Sequence, residues 1–321
     1  MSELHSFLFD GLPVRGMVVR LTDAWTEVLE RRATYGEAYP TPVGRMLGQM
    51  AAAGVLMQAN IRFKGSLILQ IYGDGPLRMS VVEVQPDLAL RATATLGDGI
   101  QQSSTLTQLI NRNGNGRCAI TLDPHDRRHG QQPYQGVVSL NGDRGERLEQ
   151  LSVMLEQYMR RSEQLETKLV LAANHQVAAG ILIQRLPTQG EANLGGHFDQ
   201  PSDPDTAEHF RRISILAASI SPEELLNLSV DTVLHRLFWQ EKLSRFAPVQ
   251  PRFACNCSHA RVAGMLRSLG REEVEDILSE QGHVDIGCDF CGAHYRFDAV
   301  DVASAMVEPL DKLNPSAAPM Q

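Results

Sequence analysis

The chain has 321 residues, 43% hydrophobic and 21% charged, which is enough apolar sequence to bury a core in two or three domains and too much for bulk disorder. A net charge of −8 argues against electrostatic capture of nucleic acid or anionic lipid, and no stretch reaches the roughly 18 apolar residues of a membrane span. The start, Met1-Ser2-Glu3-Leu4-His5, lacks a basic region and an apolar leader core, so the expected compartment is the reducing cytoplasm, where clustered cysteines hold metal rather than structural disulfides.

Val14 to Leu21 alternates as a strand, and Asp23 is placed to cap a helix with Trp25, Val28 and Leu29 on one face. The run from Pro42 to about Asn60 is apolar nearly all round and reads as a buried helix; its methionines also suit a plastic binding surface, but a core helix is the simpler account. Ser66–Tyr72, Leu77–Val84 and Leu88–Leu96 predict an antiparallel meander, joined by Gly116–Leu122 and Tyr134–Leu140. Gly73-Asp74-Gly75-Pro76 and Asn113-Gly114-Asn115-Gly116 resemble phosphate loops only superficially, since neither runs into Gly-Lys-Ser/Thr at a helix start, and they read as turns. Cys118 alternates with Ile120 and Leu122 and reads as a small buried hydrophobe. His125 and His129 have i, i+4 spacing, but Pro124 and Gly130 place them in a loop without the helical face a metal pair needs. An apolar stripe of Leu148, Leu151, Met154, Leu155, Tyr158 and Met159 predicts a helix from about Arg144 to Ser162, followed by strands over Thr167–Ala172 and Ala178–Leu186.

Residues 187–205 are rich in Pro, Gly, Asp, Asn and Gln and predict a linker. Amphipathic helices follow: Phe210, Ile213, Leu216 and Ile220 share a face, Ser221-Pro222-Glu223-Glu224 is a strong helix start, and Val233, Leu234, Leu237 and Phe238 form a further stripe. Near the C-terminus stand Cys255-Asn256-Cys257 and Cys288-Asp289-Phe290-Cys291-Gly292, whereas the rest of the chain holds only Cys118. Two close pairs separated by thirty residues can return to one tetrahedral four-thiolate zinc site. Gly292 supplies the positive φ of a knuckle, and Ser258, Gly270 and Gly282 bound two short helices between the pairs. His259, His283 and His294 could each replace a sulfur, His294 best by its spacing, but four thiolates already complete the tetrahedron.

These motifs resemble the 33 kDa chaperonin family over nearly the full length. C-x-C paired with C-x-x-C carries the resemblance, with Gly73-Asp74-Gly75-Pro76, Tyr134-Gln135-Gly136-Val137-Val138, Ser162-Glu163-Gln164 and Glu223-Glu224-Leu225-Leu226 in support. Met159 stands where an aromatic is usual, Ala92 follows Arg91 in place of glycine, and the stretch from Arg31 to Tyr39 looks slightly expanded. The resemblance implies a non-enzymatic, ATP-independent holdase, inactive while reduced and zinc-bound and activated by peroxide or hypochlorite. It also implies unfolded or misfolded proteins as partners and a homodimer as the active form. Of the possible disulfides, Cys255 with Cys257 and Cys288 with Cys291 need only local backbone change. The expected fold class is α+β, organised as an antiparallel-sheet and helix core over 1–186, a helical linker over 187–250, a zinc domain over 251–303 and a disordered tail over 304–321. Phe210, Ile213, Leu216, Leu237, Phe238 and Trp239 are the candidate client-binding residues, covered in the reduced state where the linker helices lie on an apolar face of the core.

Two other classes are weaker. A nucleic-acid zinc ribbon needs a basic face, yet residues 252–298 carry five arginines against eight acids. A thiol oxidoreductase using Cys288 and Cys291 needs a thioredoxin-like βαβ setting, and hairpin sequence surrounds them instead. No Ser/His/Asp or paired-carboxylate constellation suggests a hydrolase.

Overall fold

The computed structural model describes residues 1–126, 132–186 and 204–307, so the expected linker over 187–205 falls largely outside the described residues, as does His129. The chain divides into two units, one of 1–33 with 37–254, the other of the described residues from Cys255 onward with Thr34–Gly36. The larger unit starts with β1 (Glu3–Phe9) and β2 (Val14–Leu21), an antiparallel hairpin, and continues into α1 (Asp23–Tyr35) and α2 (Thr41–Asn60). Asp23 is not the cap that the sequence suggests. Its carboxylate accepts from Ser2 Oγ at 2.6 Å, and Ser2 Oγ in turn accepts from the amides of Thr22 and Ala24, so the N-terminal serine caps α1 from a distance in sequence.

The meander forms as expected from β3 (Gly65–Tyr72), β4 (Leu77–Val84) and β5 (Ala89–Leu96). A one-turn helix, α3 (Leu106–Ile110), precedes β6 (Arg117–Pro124), which pairs back on β3, and β7 (Tyr134–Ser139). Then come α4 (Leu151–Ser162) and the hairpin of β8 (Thr167–Ala173) with β9 (Ala178–Arg185). Helix α4 starts later than its apolar stripe indicates. Gly145 takes φ +80°, and Gly142 and Leu148 donate their amides to Glu146 and Leu140, so these residues close a turn that competes with the helix. The unit ends with α5 (Pro204–Ala218), α6 (Pro222–Asn227), α7 (Val230–Phe238), β10 (Leu243–Arg245) and β11 (Arg252–Phe253).

Among the described residues these strands build a sheet of order β10-β1-β2-β9-β8 and another of order β11-β5-β4-β3-β6-β7. Every neighbouring pair is antiparallel except β11 on β5. Helix α2 fills the space between the sheets, which explains an apolar surface all round it: Met46, Met50 and Met57 are core residues beside Leu67 and Leu69 of one sheet and Val19 and Leu182 of the other. Glycines set its approach. A Cβ on Gly48 would lie 2.7 Å from Ala173 Cβ, closer than an alanine allows, and one on Gly54 3.1 Å from Val84 Cγ2, a tight contact on the other sheet.

The outer face of the five-stranded sheet is apolar too, through Phe7, Phe9, Val14, Val18, Ile181 and Ile183, and helices α5 to α7 cover it. Ile213, Leu225, Val233, Leu237 and Phe238 are buried against it, while Phe210 and Leu216 pack at its margin. Phe238 meets Phe9 edge-on with ring centroids 5.1 Å apart. The helix start expected at Ser221 is there, and it is a capping box, Ser221 Oγ accepting from Glu224 N and the Glu224 carboxylate from Ser221 N. Trp239, just past α7, is not covered by this layer and is 67% exposed.

Candidate metal centre

The smaller unit is built from α8 (His259–Leu269), α9 (Arg271–Gln281), a hairpin of β12 (Val284–Gly287) and β13 (His294–Phe297), and α10 (Ala299–Val307). Ser258 Oγ accepts from Arg261 N and caps α8, and Gly282, at φ +73°, ends α9. Helix α10 continues through Val307, into the stretch expected as tail from residue 304; residues 308–321 lie outside the described residues. The buried core is small: Ala263, Leu266, Val274, Val284, Phe297, Val302 and Ala305. Such a core cannot outweigh the ordering entropy of the segment alone, so a crosslink is needed.

That crosslink is available where the strands end. Cys255 and Cys257 lie just before α8, and the turn between β12 and β13 carries Cys288 and Cys291. The turn is closed by Cys288 N donating to Ala293 O and Gly292 N donating to Cys288 O at 2.7 Å, with Gly292 at φ +69° as its place after the second cysteine requires. The four sulfurs lie within 4.8 Å of one another. Cys255 Sγ is 3.7 Å from Cys288 Sγ, and Cys257 Sγ is 3.2 Å from Cys291 Sγ. A tetrahedron with metal–sulfur bonds of about 2.3 Å has sulfur–sulfur edges of about 3.8 Å, so the donor set fits one four-coordinate soft metal ion.

The surroundings favour metal over free thiolates. Burial pushes the Cys288 and Cys291 thiols up, against backbone amides that hydrogen-bond their sulfurs. Four neighbouring sulfurs can all ionise only around a cation. Tyr295, on β13, donates its hydroxyl to Cys257 Sγ at 3.1 Å, and that bond, ahead of burial, pushes the phenol up to about 12. Its only trace in the sequence is the alternation of Tyr295 with Phe297 two residues further along the strand. Two of the three histidines make other contacts, and none joins the four-sulfur cluster: His259 stacks on Phe297 with centroids 4.2 Å apart, and His294 Nδ1 lies 3.3 Å from Asp285 Oδ1.

The remaining candidates are structural. Cys118 is 1% exposed, and burial pushes its thiol up to about 12. The two glycine turns serve each other, the Asp74 carboxylate accepting from the amides of Asn113 and Asn115. His125 Nε2 lies 2.8 Å from Gln85 Oε1. No helix among the described residues is long and apolar enough to cross a membrane.

The model of the family described as Hsp33 protein matches residues 2–298. The 33 kDa chaperonin of Chromobacterium violaceum is 45% identical over 299 residues, covering 93% of this chain and 92% of the relative. That of Methylobacillus flagellatus is 41% identical over 303 residues, again covering 93% of this chain and 92% of the relative. The fold is similar to that of the 33 kDa chaperonin from Thermotoga maritima, a heat shock protein 33 homologue, with a TM-score of 0.72 at 18% identity, covering 95% of this chain and 97% of that one. A match from residue 2 through the last strand of the cysteine-bearing unit leaves one assignment: the chain belongs to the Hsp33 protein family.

Proposed function

We propose that this protein is a redox-regulated chaperone that holds unfolded proteins without ATP and is switched by its four-cysteine centre. The carrying observation is the cluster of Cys255, Cys257, Cys288 and Cys291 within 4.8 Å, in a unit whose own core is too small to persist without it. The names of its relatives, 33 kDa chaperonin, support the class of activity and a non-enzymatic role. The four thiolates are the ligands for one zinc ion, which when bound joins the two cysteine arms and contributes on the order of 10 to 16 kcal/mol of apparent binding energy to the folded unit.

Oxidation removes the ligands. One thiolate attacks peroxide, forming sulfenic acid and releasing hydroxide; a second thiol then displaces water from it and closes the disulfide, so two sulfurs give two electrons to one peroxide. We assign the bonds as Cys255 with Cys257 and Cys288 with Cys291. Disulfide sulfurs are poor ligands, so the small unit loses its crosslink and unfolds. The helical layer over Phe7, Phe9, Ile181 and Ile183 then loosens and uncovers that face together with Phe210, Ile213, Leu216, Leu237 and Phe238, beside the already exposed Trp239. A continuous apolar surface of this kind binds unfolded chains without side-chain specificity. The active form is a homodimer and the compartment is the cytoplasm, where reduction and metal rebinding close the surface. The test is zinc release and suppression of aggregation, measured on one sample before and after peroxide. Suppression without zinc release, or release without suppression, sinks the reading.

A further inference from the structure

The two arms of the centre are built differently. On the C-x-x-C arm the chain curls back, so the Cys288 sulfur accepts the amides of Phe290 and Cys291, and the Cys291 sulfur accepts that of Ala293. The C-x-C arm has a single residue between its cysteines. Cys257 accepts a hydrogen bond from the other arm, the Tyr295 hydroxyl at 3.1 Å and 38 positions along the chain, beside its 3.2 Å contact with Cys291 Sγ. The tyrosine is well held: it faces Ile286 across the β12–β13 ladder and packs on the core that buries Leu266 and Phe297. Its neighbours His294 and Arg296 point to the exposed side, as strand alternation requires.

We propose that Tyr295 is a positioning residue that sets the oxidant threshold of the centre by protecting the Cys257 sulfur. The inference rests on the four-thiolate reading above and names a control within it. The Cys257 sulfur that accepts the phenolic proton is the atom that must attack the peroxide oxygen to form sulfenic acid and hydroxide, and the hydrogen bond draws electron density from it. Engaged in a hydrogen bond, it is less nucleophilic, and the sulfur stays oriented as a ligand. Cys257 therefore reacts only at a higher peroxide level, after which the Cys255 thiol displaces water from the sulfenic acid and closes the disulfide. The hydroxyl does not enter the balance; it acts only on the rate of the first step.

The experiment compares the full-length, reduced, zinc-loaded protein with Tyr295→Phe, which keeps the ring and its packing and removes the hydrogen bond. Zinc release is followed with a metal indicator at fixed peroxide and, separately, with chelator and no oxidant. Cobalt-substituted samples report sulfur-to-metal charge transfer. The expected result is one zinc per chain in both proteins at saturating zinc, a shifted charge-transfer band, and a rise in peroxide-driven release that exceeds any rise in oxidant-free loss by about tenfold. An unchanged peroxide rate overturns the proposal. So does an equal rise in both rates, because the hydroxyl would then merely hold the fold. A parent protein that binds no zinc overturns the metal reading itself.

Discussion

The helical layer can be loosened without touching the metal centre, and Phe238 is the place to do it. This ring is 2% exposed, sits edge-on to Phe9 at 5.1 Å and lies 6.1 Å from Phe7, so it fastens α7 to the first strand of the sheet. Phe238→Ala removes a buried ring from a packed site, a change that costs about 3 to 5 kcal/mol, including the aromatic pairs. At about 1.4 kcal/mol per factor of ten, the ratio of undocked to docked α7 rises by about a hundredfold to several thousandfold. The variant is therefore expected to keep one zinc per reduced chain, to lose amide protection across Val230–Phe238, and to suppress aggregation of a denatured client without oxidant. Hydrogen exchange, metal analysis and light scattering on one preparation decide it. If α7 loses protection while zinc stays bound and no client is held, uncovering this face is not what activates the protein.

Three further outcomes follow from the geometry. Serine at any one of Cys255, Cys257, Cys288 or Cys291 leaves three sulfurs and should cut zinc content sharply, whereas Cys118→Ser should leave it unchanged; metal analysis of the five variants checks the ligand set. Peptide mapping after peroxide should find Cys255 with Cys257 and Cys288 with Cys291, although the folded cluster sets Cys257 3.2 Å from Cys291. Once the unit opens, closing rings of a few residues rather than more than thirty favours neighbours by about 2 kcal/mol before ring strain, so a dominant Cys257 to Cys291 bond would mean that oxidation finishes inside the folded cluster. Cys118 is 1% exposed in the core of the larger unit, and burial pushes its thiol up, whereas loss of metal should open the small unit; alkylation of the metal-free protein should therefore label four cysteines and reach the fifth only in denaturant.

What could be read from the chain depended on whether its cause was local. Cysteine spacing is local, and it marked the four residues that the fold brings within 4.8 Å. Strand alternation is local too, which is why β2 to β9 lie where periodicity predicts them, while the all-apolar α2 betrayed its burial between two sheets without saying what lay on either side. The start of α4 was obscured because its stripe begins at Leu148, whereas Leu148 N is claimed by Leu140 O, a partner eight residues back. β10 and β11, of three and two residues, are too short to carry any period and exist only because β1 and β5 offer open edges. Tyr295 was invisible as a functional residue for the same reason: its hydroxyl finds Cys257 only once the hairpin register is set.

Those short strands bear on how a chemical event at the cysteines could reach the helical layer. Within the larger unit, the chain leaving α7 is stitched to β1 by β10, by Phe246 N to Ser6 O, and by reciprocal bonds between Leu4 and Val249. It then crosses to the other sheet, where Arg252 N and Ala254 N donate to Leu88 O and Leu90 O, and the Arg252 guanidinium pairs with the Asp87 carboxylate at 2.6 Å. Cys255 is the next residue. This strap has little core of its own: Phe246 and Val249 are exposed, and the Arg252 pair is more than half exposed, so solvent screens it. Each main-chain bond is worth about 1 kcal/mol net. A strap of that kind is held in steps that can be lost one after another from the Cys255 end, whereas α7 is held on the sheet by buried Phe238, Leu237 and Val233. On the mechanism proposed above, the packing of α7 sets the threshold for uncovering the apolar face, and the strap is the segment through which disorder beginning at Cys255 would be passed to it.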